Sequence, residues 1–261
     1  MRNMDDIAVF SPLRYKNTTL KVLLVGFSLL AGLISSSPVL PIFIMICMIF
    51  AALVFGKAPP GVYFRMFCAV LGFVAVSCLI LAFFSLGGDS EILFSFSIFN
   101  FVFSVTQGSA NQAVLVFARS LGGISSIFFL AMTTPMLELF SYFKRFSFLD
   151  IFMELTMLIY RYIFVFLSLL LSIRSAQEMR FGYCNFKRAV HSAGLLVGSL
   201  FVQTLEQGDR LYLSMNSRCY DGKLAYYEAH YKLVLSDILI SGVFVISAVV
   251  VFIYTRGWQV F

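Results

Sequence analysis

An all-α fold, laid out as a polytopic membrane protein, is what three features of this 261-residue chain predict. The first is composition: 60% of the residues are hydrophobic and only 12% charged, about half the charged share of a soluble domain. With 31 Phe and a mean hydropathy of +0.92, most of the surface has to face lipid. The second is the recurrence of apolar runs of roughly 17–25 residues, the length a helix needs to cross the hydrocarbon core. The third is charge asymmetry: eleven of the 19 Lys and Arg fall within residues 133–233, and none within 87–111.

Taken in order, residues 1–132 hold four spans, at about 20–36, 39–55, 63–86 and 112–132. The small residues Ser35, Ser36 and Ser37 after the first run give it the look of a cleaved leader. The second run follows at once, however, so the pair reads as a tight helical hairpin turning at Pro38 and Pro41. The third run follows the turn Gly56-Lys57-Ala58-Pro59-Pro60-Gly61. The fourth carries one charge, Arg119, on a face of small residues (Ala118, Gly122 and Ser125) that lets helix backbones approach closely. An intramembrane arginine is a candidate functional site by default, and pairing inside the bundle is the plainer alternative.

After Pro135 the pattern changes. Met136, Leu137, Leu139, Phe140 and Phe143 set against Glu138, Ser141, Lys144 and Arg145 predict a short interfacial helix. The run 151–172 is apolar enough to span. Yet Asp150, Glu154, Arg161, Ser168, Ser172 and Ser175 keep to one narrow stripe at helical spacing, as do Arg188, Ser192, Ser199, Gln203, Glu206, Arg210 and Ser214 after it. Two long helices packing together beside the membrane would show such stripes. Residues 133–233 are therefore assigned to a cytoplasmic or interfacial helical region. A fifth span, about 234–254, closes the chain, with Arg256 and Trp258 as interfacial anchors.

Orientation follows from counting. A cytoplasmic N-terminus puts four basic residues near the start, two in the 56–65 loop and the eleven of 133–233 on one side, 17 of 19 in all. That is the side the positive-inside rule makes cytoplasmic. The same rule accounts for the net charge of +6, so no nucleic-acid partner is implied.

Resident chemistry is not visible. The chain has no GxxxxGK[ST] phosphate loop, no HExxH and no GxSxG. Its five cysteines lack paired spacing, and two histidines are too few for a zinc site. Asp150 and Glu154, one turn apart, read as part of a solvated stripe. No cofactor or metal site is expected on this chain.

What remains are two arginine-centred elements at the ends of consecutive long helices. One is Ala176-Gln177-Glu178-Met179-Arg180-Phe181-Gly182-Tyr183, the other Tyr212-Leu213-Ser214-Met215-Asn216-Ser217-Arg218-Cys219-Tyr220-Asp221-Gly222. A single arginine before a glycine is an ordinary helix C-terminus. Its recurrence favours a docking surface, since each guanidinium can make a bidentate bond with a partner's carboxylate.

These elements resemble those of the transmembrane (T) component of energy-coupling-factor ABC transporters, most closely the cobalt-type CbiQ family. In that family two Ala-Arg-Gly motifs end two coupling helices that insert into grooves of two ATPase subunits. Arg180 and Arg218 match the motif arginines. Met179 and Phe181 stand in for Ala and Gly at the first, with Gly182 one position late. Ser217 and Cys219 stand in at the second, where Met215 and Tyr220-Asp221-Gly222 fit the cobalt-type pattern. Thr133-Thr134-Pro135 and Tyr160-Arg161-Tyr162 also match.

The resemblance implies a non-catalytic scaffold in the cell membrane, in contact with its lipid. It would join two ATP-binding-cassette subunits, which bind ATP and Mg, to a separate membrane-embedded substrate-binding (S) subunit, with cobalt ions as the expected cargo. Arg180, Arg218, Ala176, Gln177, Gly182, Met215, Ser217 and Gly222 would form the ATPase-coupling set. The alternative from another class is a self-contained secondary transporter or channel using Arg119 and Glu154 as internal charges.

Overall fold

The computed structural model describes residues 4–83, 92–98, 101–144, 150–222 and 234–255. Helices dominate among them: α1 (Met4–Phe10), α2 (Thr18–Ile34), α3 (Val39–Phe50), α4 (Pro60–Phe83), α5 (Gln107–Thr133), α6 (Met136–Lys144), α7 (Asp150–Met179), α8 (Phe186–Asn216) and α9 (Leu235–Tyr254). A 3-10 turn (Pro12–Tyr15) precedes α2, and α3 ends in a wider π turn, Ala51–Phe55. Two short strands, β1 (Ile92–Ile98) and β2 (Phe101–Thr106), pair antiparallel within the stretch left unassigned at 87–111. Their signal is local: Phe94-Ser95-Phe96-Ser97-Ile98 alternates with period two. Asp89, Glu91, Arg145, Arg256 and Trp258 lie outside the described residues.

The chain divides into two compact units, Met1–Leu139 with Ala229–Phe261, and Phe140–Glu228. In the first, α5 is the axis, packed by α1, α2, α3 and α4, and α9 packs on α2 and α3. Leu40, Ile44, Met48, Ala52, Phe129 and Met132 form its apolar centre. Small residues set the α3–α5 approach. A Cβ on Gly122 would lie 2.8 Å from the Pro41 carbonyl oxygen, so only glycine permits this contact. Hydroxyls beside it are satisfied inside the bundle. Ser28 Oγ donates to Ser126 Oγ (3.0 Å), and Ser125 and Ser126 Oγ donate to the Gly122 carbonyl (2.9 and 2.8 Å).

The proline turn forms as expected: Pro38 caps α3, and Pro41 sits in its first turn, where a missing N–H costs nothing. Ser11 Oγ donates to the Gly56 carbonyl, Lys21 Nζ to the Thr133 carbonyl and Lys16 Nζ to Asp237 Oδ1. These bonds gather the start of α2, the end of the α3 run, the end of α5 and the start of α9 at one end of the unit.

Among the described residues, four helices are long and apolar enough to cross a membrane: α4, α5, α7 and α9. α2 and the α3 run are shorter apolar helices, and α7 belongs to the region that its polar stripe had placed beside the membrane.

In the second unit α7 and α8 fold back on one another. The striped residues Ser168, Ser172, Gln203, Glu206 and Arg210 line one cleft of about 470 Å³ between them. Glu154 is a correction. It is buried rather than solvated, and its Oε1 accepts from Lys144 Nζ at 3.1 Å, with Asp150 3.8 Å from the same ammonium. The carboxylate pair of α7 therefore holds the end of α6, because a buried charge needs its counter-ion.

Candidate functional site

Both long helices end in the same way. At the end of α7 the Gly182 N–H donates to the Gln177 carbonyl (2.9 Å) and the Phe181 N–H to the Glu178 carbonyl (3.0 Å). At the end of α8 the Tyr220 N–H donates to the Met215 carbonyl (3.1 Å) and the Cys219 N–H to the Asn216 carbonyl (3.1 Å). Each is a Schellman motif, in which a 6→1 and a 5→2 bond close the last turn. Arg180 and Arg218 occupy equivalent positions, the last residue before the chain turns left-handed.

The left-handed residues are Phe181 and Cys219, each with φ +57°. Glycine is the usual occupant of that position, and a side chain there costs about 1–2 kcal/mol. The first glycine, placed one position late in the ATPase-coupling set, is therefore not the left-handed residue of this cap. Gly182 lies one position on and meets α8 instead: a Cβ there would lie 2.7 Å from Ser192 Oγ and 3.0 Å from the Gln177 carbonyl oxygen.

A polar network ties this junction. Ser192 Oγ donates to the Gly182 carbonyl (3.0 Å), Gln177 Nε2 to the Ser192 carbonyl (3.0 Å) and Tyr183 Oη to Gln177 Oε1 (2.8 Å). The Arg174 guanidinium pairs with Glu178 (2.9 Å) and stands 5.9 Å from the Tyr183 ring centre. All of these groups are engaged within the junction, Gln177, Gly182 and Ser192 in holding α7 to α8 and the Arg174–Glu178 and Tyr183–Gln177 contacts within the end of α7 and its turn.

Arg180 and Arg218 are not. Both are exposed, and neither side chain has a hydrogen-bond or ion-pair partner among the described residues. Met179 and Phe181, the chain neighbours of Arg180, are exposed, and so are Tyr212 and Leu213 in the last turns of α8. Each end thus offers a free guanidinium on a hydrogen-bonded helix terminus that also carries exposed apolar side chains, the chemistry that binds a carboxylate at the rim of an apolar groove.

The remaining sequence-selected residues divide. Ala176, Ser217 and Gly222 are exposed, and Met215 is half-buried, with its carbonyl closing the second cap. Ser217 Oγ is turned back onto the Leu213 carbonyl (2.9 Å), and Gly222 turns the chain at φ +90°. Gln177 and Gly182 are internal fasteners.

Arg119 stands apart, in the first unit. One of its amino groups donates to the Ser35 carbonyl at 2.6 Å, just past the end of α2, where carbonyls lack helical partners. Fourteen residues of α5, about 21 Å, separate it from Thr133. It is therefore level with the α2–α3 turn and serves as a clamp on that turn. Tyr183, Ser192, Arg174 and the left-handed pair Phe181 and Cys219 went unrecognised in the sequence, although Ser192 lay in the polar stripe. Among the described residues no three His, Cys, Asp or Glu side chains gather as a metal ion would require.

A helical bundle with several membrane-length helices, together with a paired-helix unit that carries two exposed terminal arginines, defines a multi-pass membrane protein. The CbiQ family, described as cobalt transport protein, matches residues 10–227, and this chain belongs to it. It is 40% identical over 222 residues to a putative fused cobalt transport protein CbiMQ of Methanocorpusculum labreanum, covering 85% of this chain but 37% of that longer protein. It is 38% identical over 221 residues to an uncharacterised protein of Methanocaldococcus jannaschii, covering 85% of this chain and 81% of the other. It is 28% identical over 152 residues to the cobalt transport protein CbiQ of Salmonella typhimurium, covering 58% and 67%.

Proposed function

We propose that this chain is the transmembrane scaffold subunit of an energy-coupling-factor importer for cobalt ions in the cell membrane. Two ATP-binding-cassette subunits, which carry the ATP and Mg, dock on the ends of α7 and α8. A separate membrane-embedded subunit holds the metal. The cobalt assignment rests on the family, and on a relative whose name joins this kind of chain to a second cobalt transport component. In this reading the N-terminus is cytoplasmic, which the placement of 17 of 19 basic residues on that side supports.

The observation that carries the reading is the repeated Schellman end with its exposed, unpaired arginine at Arg180 and at Arg218. Backbone hydrogen bonds at the helix terminus fix where each arginine leaves the chain, which a flexible loop would not. Two of them, on helices fastened through Gln177, Gly182 and Ser192, move together when either partner moves. Nucleotide-driven approach or separation of the two ATPase subunits would thus become displacement of the α7–α8 pair, and through it of the substrate subunit.

The test is the double variant Arg180→Glu with Arg218→Glu, purified with the partner ATPases. Loss of co-purification and of ATP-driven cobalt uptake is the expected result. Retention of both sinks the scaffold reading. The self-contained transporter has less to stand on, since Arg119 is bound to the Ser35 carbonyl and Glu154 to Lys144.

A further inference from the structure

The chain passes out of the first unit between Leu139 and Phe140 and returns between Glu228 and Ala229. Glu138, in the first turn of α6, precedes the outgoing boundary residue Leu139 by one position, and Asp237, in the first turn of α9, follows the returning boundary residue Ala229 by eight. The same short N-terminal segment holds both. Arg14 Nε donates to Glu138 Oε1 at 3.3 Å, Thr18 Oγ1 to Glu138 Oε2 at 3.3 Å, and Lys16 Nζ to Asp237 Oδ1.

The acidic partners are largely shielded, with side-chain exposures of 14% for Glu138 and 10% for Asp237. Shielded pairs are screened less than surface pairs, so these bonds persist at cellular salt. The segment is itself anchored to the bundle. Ile7, Ala8 and Ser11 are buried, Ser11 Oγ donates to the Gly56 carbonyl, and Lys21 Nζ, buried, donates to the end of α5 at the Thr133 carbonyl. One anchored segment thus grips the first unit's side of both connections, at the first turn of α6 and at the first turn of α9.

We infer that Arg14 and Lys16, with Glu138 and Asp237, form a transmission clamp that fixes both connections to the 140–228 unit, so that movement of that unit reaches the membrane bundle instead of being absorbed at the connections. The inference rests on the scaffold reading above. Without the clamp, the first turns of α6 and α9 would give way locally, and hydrolysis would proceed without delivering cargo. Arg14 and Lys16 are positioning residues in this account; they touch neither nucleotide nor cargo.

The experiment uses the full transporter, with its ATPase and substrate subunits, reconstituted in liposomes with ATP and cobalt. Lys16→Glu and Asp237→Lys are made singly and together, as are Arg14→Glu and Glu138→Arg. Each single reversal is expected to keep ATPase co-purification and hydrolysis while lowering cobalt uptake per ATP by about fivefold or more, the scale of an ordinary coupling effect. Each charge-swapped pair should restore the ratio. Unchanged uptake per ATP, loss of the ATPase together with uptake, or failure of both swaps to restore coupling overturns the clamp. Failure of the scaffold reading shows elsewhere, in Arg180→Glu with Arg218→Glu keeping the ATPase bound.

Discussion

The Ser192 hydroxyl of α8 donates to the Gly182 carbonyl at 3.0 Å, and the missing Cβ of Gly182 is what lets it come so near. Gly182→Val should therefore separate the helices at the junction, since its Cβ would stand 2.7 Å from Ser192 Oγ and 3.0 Å from a backbone oxygen that cannot move aside. Overpacking of this kind costs about 1–3 kcal/mol. It would be read as a lower melting temperature of the purified chain and faster proteolysis at 180–186. A variant that melts like the parent would show that the contact is not tight.

Phe181→Gly and Cys219→Gly should act in the opposite sense. Both native residues sit at φ +57° and are exposed, so little packing is lost by removing their side chains. Relief of the left-handed strain should stabilise the unit by about 1 kcal/mol per site, less the entropy that glycine adds to the unfolded chain. Chemical denaturation in detergent would measure it. Destabilisation at either site would mean that the Schellman geometry depends on the side chain.

These positions show how far the sequence reached. The two helix ends and their arginines were legible, because a motif repeated at helix termini carries its own spacing. The helical class and the proline-flanked hairpin were legible too, since apolar run length and proline chemistry act locally. The left-handed residues were not, because backbone conformation at Phe181 and Cys219 goes against the usual preference for glycine and shows only in φ. Gly182 was placed in the coupling set because it follows the motif arginine one position late. Its contact with Ser192 was not legible, because only folding brings the two near. The stripe on α7 foresaw the pairing with α8 but mistook Glu154 for a solvated residue. Its Lys144 partner comes from another helix, and hydropathy cannot see counter-ions.

Gly122 tests the bundle. Gly122→Leu would drive a side chain into the Pro41 carbonyl, which lies 2.8 Å from the Cβ position, and separate α3 from α5. The expected outcome is a poorly folded protein in detergent, with a loss of about 1–3 kcal/mol or more. Gly123→Ala, one residue on, meets only the Leu29 Cδ2 at 3.6 Å and should fold normally. If both variants behave alike, the close approach of the two helices is not what glycine serves here.

Glu154 and Lys144 invite a double-mutant cycle. Glu154→Leu alone removes the nearer carboxylate from the shielded Lys144 ammonium, and Lys144→Met alone removes the ammonium that stands 3.1 Å from the buried Glu154 carboxylate. Each should cost about 3 kcal/mol, and the pair together clearly less than the sum, because both desolvated charges are then gone. Additive losses in the melting curves would mean that the two groups do not depend on one another.

The arginine ends permit a sharper test than charge reversal. Arg180→Lys and Arg218→Lys keep the charge and leave the backbone caps untouched, since those caps use main-chain groups only. What they remove is the planar fork that binds a carboxylate through two parallel hydrogen bonds. If the ends grip ATPase carboxylates, each single change should weaken ATPase binding by about tenfold, the equivalent of one charge-assisted bond. The double change should weaken it by more than either alone, because two linked sites compensate for one another until both are impaired. Binding to immobilised ATPase, followed across salt concentrations, measures both effects. Arg→Lys variants that bind as well as the parent would mean that the two arginines act as point charges, and the planar fork of the guanidinium would then have no bearing on recognition.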